Sequence, residues 1–349
     1  MKIQVKLFLK KHSVVLLFFF LSLGGFLLSG LSFSMVISDL TERLGRNLIL
    51  VLSLILPIVA GLGINFALVI GAMVGQLALL FILVLGWKGF GGVFGAMAIA
   101  LPLGMLCGLG CGLLLNRVKG REMVVSLILG YFATGVYQFL CLRLPVKNPA
   151  LVSDGGIGVK NTIDLSSIQY AFDKFPMEFR LFGIKIPLFT LLLSALFCFL
   201  FYRFKETKLG QHMRGAGLSP KAAEAAGISM DTMRLLAMMA STVLAAWGQI
   251  ISLQNLGTLN TYGSHEQVSI YGAAALLVGG ATLKKAEAHH ALLGTLLFYL
   301  LFIVAPRAGA NLTGDAQLGE FFRVFLSYGV IVLALVFHHK KDTSKPITK

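Results

Sequence analysis

No charged residue occurs between Lys11 and Asp39, between Arg46 and Lys88, or between Lys88 and Arg117. Uncharged runs of about 20 residues cross a hydrocarbon core about 30 Å thick. A backbone in lipid must satisfy its own hydrogen bonds, so such runs fold as helices unless they alternate as barrel strands do. These runs do not alternate. Charged residues make up only 13% of the 349-residue chain, against about 25% in soluble domains. The chain therefore reads as an all-α polytopic membrane protein, not a soluble domain with one anchor.

Hydropathy places about ten transmembrane helices, at 12–35, 47–63, 65–86, 91–115, 123–142, 185–202, 232–253, 267–283, 288–305 and 321–338. Lys and Arg set the orientation. With both termini cytoplasmic, the inner segments and Arg234 hold 19 Lys/Arg against 6 Asp/Glu. The net charge of +15 thus reads as topology and contact with anionic lipid rather than nucleic-acid binding. The N-terminal apolar run exceeds a signal-peptide core, which spans about 7–15 residues, and reads as an uncleaved first span. Cys107, Cys111, Cys141 and Cys198 lie in or near apolar runs and read as filler.

One domain over 1–349 is the simplest partition, with an outer loop at 143–184 and an inner loop at 203–231. Within the outer loop, SSIQYAFDKF (166–175) suits a short interfacial helix. Within the inner loop, GLSPKAAEAAGISMD (217–231) suits a small helix bounded at both ends. Ser219 is a good N-cap and Pro220 is preferred at the first helical position. KAAEAA has high helix propensity, and Gly227 stands where a left-handed C-cap belongs. Short isolated helices are marginal in water, so this one needs an external support: the bundle, or a cytosolic partner.

Glu224-Ala225-Ala226-Gly227, in the longest inner loop of a ten-span bundle, resembles the coupling-loop signature of binding-protein-dependent ABC importer permeases. The wider stretch from Lys205 to Ile251 resembles the ribose, branched-chain amino acid and nucleoside permease family. It carries A-G-x-x-P-x-A-A-x-x-x-G-I at 216–228. YGAAALLVGGATLKKAEAHHALLGTLLF resembles that family's glycine block, and GLGINFALVIGAMVGQ its third-span entry. SLILGYFATGVYQFLCLRLPVKNP is most like the nucleoside-type members. One departure is LKKAEAHHA, where sugar-type relatives have a glycine-rich turn.

The resemblance implies the transmembrane half of an importer in the bacterial cytoplasmic membrane. Its partners would be cytosolic ABC ATPase subunits, a second permease subunit (a copy or a paralogue) and an extracytoplasmic solute-binding protein. Ser219, Pro220, Ala222, Ala223, Glu224, Ala225, Ala226 and Gly227 would form the ATPase-coupling helix. The implied cargo is a small neutral polar solute, a nucleoside or simple sugar first, a branched-chain amino acid or vitamin next. ATP-Mg would be used by the partner, with no cofactor in this chain.

The residues themselves fit that division of labour. The chain has no G-x-x-x-x-G-K-[ST] and no Gly-Lys pair at all, so nothing in it can cradle ATP phosphates in the P-loop manner. No Asp, Glu, His, Lys or Arg falls near the middle of any expected span, where ion-coupled carriers place them. The inner-loop acids are scattered, without the D-x-x-D of a polyprenyl-handling enzyme. The alternatives of a secondary carrier and a membrane-embedded enzyme therefore rank below the importer. Asn65, Gln76, Gln138 and Gln249 are polar residues in or near spans. They can act as interhelical glue or line the pathway; Asn65 and Gln76, three helical turns apart, share a face. GAMVG at 71–75 reads as a packing seam. Adjacent His289 and His290 point apart and make no metal site.

Overall fold

The computed structural model describes residues 13–144, 148–149, 151–153, 156–174, 179–181, 184–325, 328–329 and 332. They are helical almost throughout. Helices α1 (Ser13–Ser29), α2 (Phe33–Ser53), α3 (Ile55–Val59), α4 (Leu68–Val84), α5 (Gly89–Arg117) and α6 (Glu122–Arg143) come first. Three short strands follow, β1 (Thr162–Asp164), β2 (Phe179–Leu181) and β3 (Ile184–Ile186). Next are α7 (Leu188–Phe204), α8 (Lys208–Leu218), α9 (Pro220–Ala225) and α10 (Met230–Leu256). Then come β4 (Thr258–Asn260), α11 (Val268–Val278) and α12 (Ala288–Thr313), with helical residues again over 316–325.

Helices α5, α6, α10 and α12 are each long and apolar enough to cross a membrane, and α7 with α8 forms a fifth such unit bent by 71°. Helices α4 and α11 are apolar but have 17 and 11 residues. At 1.5 Å per residue the shorter extends only about 16 Å. The chain is an all-α multi-pass membrane protein.

Helix α10 is the axis of the bundle, and small residues let its neighbours approach it. On α5, Gly104, Gly108 and Gly112 recur every four residues and so lie on one face. A Cβ on Gly108 would stand 2.6 Å from Met239 Cα, and one on Gly104 3.1 Å from a Val243 methyl. On α4, a Cβ on Gly71 would stand 2.6 Å from Thr242 O, and one on Gly75 2.5 Å from Ala246 O. The 71–75 seam expected from the sequence is therefore a helix contact. On α10 itself, Gly248 admits Leu50 of α2, whose Cγ lies 2.8 Å from where a Cβ would be. Helices surrounded by lipid gain little from hydrophobic burial against each other, so such close backbone approach carries much of their association.

Several boundaries depart from hydropathy. The first span stops at Ser29, because Gly30 turns the chain at φ +65° and Ser32 caps α2 by accepting from Met35 N. Helix α2 then carries Asp39, Glu42, Arg43 and Arg46, a stretch expected as outer loop. The fold supplies partners: Tyr170 Oη donates to Glu42 at 2.9 Å, and the Arg43 guanidinium lies 5.5 Å from the centre of the Phe302 ring. Residues 166–174 form turns, not an interfacial helix. Their backbone is drawn elsewhere, with Gly89 N donating to Ser167 O and Tyr170 N donating to Gln254 O. The expected eighth span shrinks to α11, and the ninth runs on through Pro306 to Thr313. The tenth, 321–338, lies largely outside the described residues. All four cysteines are free.

Replacing Gly75 with Val would force α4 away from α10. The expected loss is about 1–3 kcal/mol from overpacking, read as a lower unfolding midpoint in detergent. Gly91→Val, where a Cβ would meet nothing within 4 Å, should shift it far less.

Candidate functional site

The described segments that sequence assigns to the inner side gather at one end of the bundle. Arg234, in the first turns of α10, donates from Nη2 to Gly61 O at 3.1 Å and pairs with Glu122 at 2.9 Å. Lys119 pairs with Asp231 at 2.9 Å, and Asn116 Nδ2 donates to Asp231 O. The segments assigned outside meet at the opposite end, where β1 pairs antiparallel with β4 in the register Thr162↔Asn260, Ile163↔Leu259 and Asp164↔Thr258.

The 217–231 stretch lies at the inner end. Helix α9 is six residues long. Its C-terminus is closed as the sequence suggests. Gly227 is left-handed at φ +76°, its N–H donates to Glu224 O, and Ile228 N donates to Ala223 O. That pair of bonds is a Schellman motif. The N-terminus differs from expectation. Ser219 holds the N-cap position but its side chain makes no capping bond. It is instead a one-residue joint, with Ser219 N donating to Gly215 O and Ala223 N donating to Ser219 O, so α8 runs almost directly into α9.

Only Ala223 of α9 is buried. It packs in a small cluster with Leu56, Ala60, Met213, Ala216 and Met233. Lys221, Ala222, Glu224, Ala225, Ala226 and Gly227 are exposed, and Glu224 has no ion-pair partner among the described residues. The support beneath is rigid. Gly217 sits against Val59 O with no room for a Cβ, and a Cβ on Gly61 would stand 2.9 Å from Gly217 Cα. Helix α9 is thus a small exposed knob fixed by α8 to the inner end of α3.

The ion pair beside it is buried, with Arg234 and Glu122 side chains 5% and 11% exposed. A cation in the first turns of a helix opposes the helix dipole, so Arg234 needs Glu122 and the Gly61 carbonyl. Together they tie α10, α6 and the α3–α4 turn. The sequence places both charges on the inner side without pairing them. The signal available was Arg234 itself, a cation close behind the Ser229 cap.

The four polar candidates do not form one cluster. Asn65 is buried and accepts from Ala67 N at 3.0 Å, a local turn at the base of α4. The three glutamines converge elsewhere, on the segment after β4. Gln138 Nε2 donates to Tyr262 O at 3.0 Å, and Gln249 Nε2 donates to Ser264 O at 3.1 Å. Gln76, at the middle of α4, meets His265 Nδ1 through Oε1 at 3.1 Å. Three helices therefore pin one turn segment, 261–267, by their amides. All three amides bond to this turn segment and not to a neighbouring helix. His265 is fully buried, and the Tyr137 ring stands edge-on to it at 5.0 Å. His265 lies outside every span that hydropathy marks; only the fold-back of 261–267 carries it to the middle of α4. The rings of His289 and His290 do not point apart as the sequence suggests but stand 4.0 Å centre to centre, because His290 turns back to accept from Glu287 N through Nδ1 in a capping box.

The described residues thus form a helical multi-pass membrane bundle with an exposed, braced knob at its basic end. The profile described as "Branched-chain amino acid transport system / permease component" matches residues 36–336, and the chain belongs to that family. It is 24% identical over 251 residues to the nucleoside ABC transporter permease protein of Lactococcus lactis subsp. cremoris, covering 68% of this chain and 62% of that relative. It is 23% identical over 248 residues to the ribose import permease protein of Escherichia coli, covering 71% and 69%. No solved structure matches.

Arg234→Met would strand the Glu122 carboxylate away from water. The expected cost is about 3–5 kcal/mol, with much of it recovered in Arg234→Met/Glu122→Met. Detergent unfolding midpoints of the two variants check this.

Proposed function

We propose that this chain is the transmembrane permease subunit of an ABC importer in the bacterial cytoplasmic membrane. It forms half of a pathway for a small neutral polar solute, a nucleoside or a simple sugar, with branched-chain amino acids or a vitamin as the alternative cargo. The observation that carries the reading is α9, exposed on all but Ala223 and tied to α3 through Gly217 and Gly61. A helix this short holds its shape only when packed. Its Gly227 cap and its glycine contacts suit an element that passes force, not one that recognises a solute. The named relatives, one for nucleosides and one for ribose, support the cargo class.

In this reading cytosolic ABC ATPase subunits seat α9 and use ATP-Mg. A solute-binding protein delivers cargo at the β1–β4 end, and a second permease subunit, a copy or a paralogue, completes the pathway. The chain itself is not an enzyme, and both termini are cytoplasmic. Force on α9 passes through α8 to α3, and through the Arg234–Glu122 tie to α10 and α6. Gln76, Gln138 and Gln249 line the wall behind the 261–267 turn, and solute hydroxyls replace the turn as their partners when it moves. Asn65 lines the same route nearer the inner end.

Replacing Glu224-Ala225-Ala226-Gly227 with bulky residues is expected to abolish ATP-dependent uptake in reconstituted vesicles while membrane insertion is unchanged. Full uptake by that variant would refute the assignment. Gln76→Leu tests the lining role. It removes His265's partner and should lower uptake at least tenfold, with thiol labelling of a Ser264→Cys reporter becoming faster.

A further inference from the structure

A cavity of about 520 Å³ opens at the inner end, between α3, α7, α8 and the 284–289 turn. Its two parts differ in chemistry. The floor is apolar, built from Ile55, Leu56, Val59, Phe201 and Phe204 at the ends of α3 and α7. The rim is basic, with Lys205, Arg214, Lys284 and Lys285 against Glu206 and Glu287. Both rim acids are engaged, Glu206 with Arg203 at 3.1 Å and Glu287 with Lys285 at 3.0 Å. Neither Lys205 nor Arg214 has a carboxylate at ion-pair distance among the described residues, and both are exposed.

The approach to the rim identifies the occupant. Leu192, Leu196 and Phe199 of α7 are exposed large apolar side chains, spaced three and four residues apart. On a helix they form one stripe, the surface a bilayer covers. One turn on, Tyr202 continues it at 53% exposure, and Lys205 Nζ lies 4.4 Å from the centre of the Tyr202 ring. Apolar side chains, then an aromatic, then a cation is the sequence of environments from acyl chain to headgroup. A pocket with an apolar floor and a cationic rim at that boundary takes an amphipathic anion entering from the bilayer. An acidic segment of a cytosolic protein would match the rim, but it would reach the floor only by entering among the membrane helices.

We propose that this cavity is a binding site for an anionic phospholipid of the inner leaflet, its phosphate among Lys205, Arg214 and the 284–285 lysines and an acyl chain on Ile55, Val59, Phe201 and Phe204. Because Gly210 and Leu218 of α8 also line it, the lipid sits against the support of α9. The inference rests on the inner-end orientation of the proposed importer and not on its cargo. Lipid binding is read without transport, so the two fail separately.

The test is native mass spectrometry of the full-length protein in mild detergent. Phosphatidylglycerol and phosphatidylcholine of identical acyl chains are titrated in parallel. The anionic lipid is expected to bind at least tenfold tighter. Lys205→Ala/Arg214→Ala, at two exposed positions, is expected to weaken it about 30-fold and leave phosphatidylcholine unchanged. Lys88→Ala at the outer end should alter neither. Equal affinity for the two lipids, or full affinity in the double variant, overturns the proposal. So does displacement of the lipid by glycerol phosphate or by a glutamate-rich peptide, since neither reaches the apolar floor.

Discussion

The arrangement depends on how closely other helices approach α10. In a bilayer the lipid tails are as apolar as the side chains, so helix association must come from contact and from polar satisfaction. This chain meets that constraint with glycines in register. Gly104, Gly108 and Gly112 admit α5, Gly71 and Gly75 admit α4, and Gly248 admits a leucine of α2. Each seam brings main chain to van der Waals distance.

Polar groups are placed at the two ends and at one level between them. At the inner end, a buried guanidinium is shared by a carboxylate and a carbonyl from two other elements. A buried pair contributes little net stability against an apolar replacement, but breaking it is costly. Its effect is to fix geometry where α3, α6 and α10 meet beneath the exposed knob. Between the ends, three glutamines from α4, α6 and α10 hold the 262–265 segment. Amides suit that task. Unlike carboxylates or ammonium groups, they can exchange one neutral partner for another without leaving a charge in low dielectric. Under the proposed function, a neutral polar solute offering the same hydrogen bonds would take the place of this turn segment.

The two surfaces of the inner end differ accordingly. Over 219–227 the exposed residues are a serine, a proline, alanines, a glycine, one lysine and one glutamate, a small low-profile surface. Around the 284–289 turn the surface is a deeper hollow with cations above aromatic and aliphatic floors. Helix α8 touches both, which places any occupant of the hollow one helix away from the knob.

What the sequence determined by itself is whatever depends on local patterning. Uncharged runs dictated membrane helices, because unpaired backbone in lipid is too costly. The lysine and arginine bias sorted the loops, and those among the described residues gather at opposite ends. The 71–75 seam and the Gly227 cap were legible because spacing and backbone conformation are properties of a few neighbouring residues. Only the tertiary structure decided the rest. It alone could make the charged 39–46 stretch helical, since the partners of that stretch, Tyr170 and Phe302, lie far along the chain. It turned 166–174 away from helix by recruiting its backbone to Gly89 and Gln254. It left Ser219 a joint instead of a cap, and it brought His265 to Gln76 across 189 positions. A contact between distant segments is created by the fold that unites them, and no window on the sequence contains both partners.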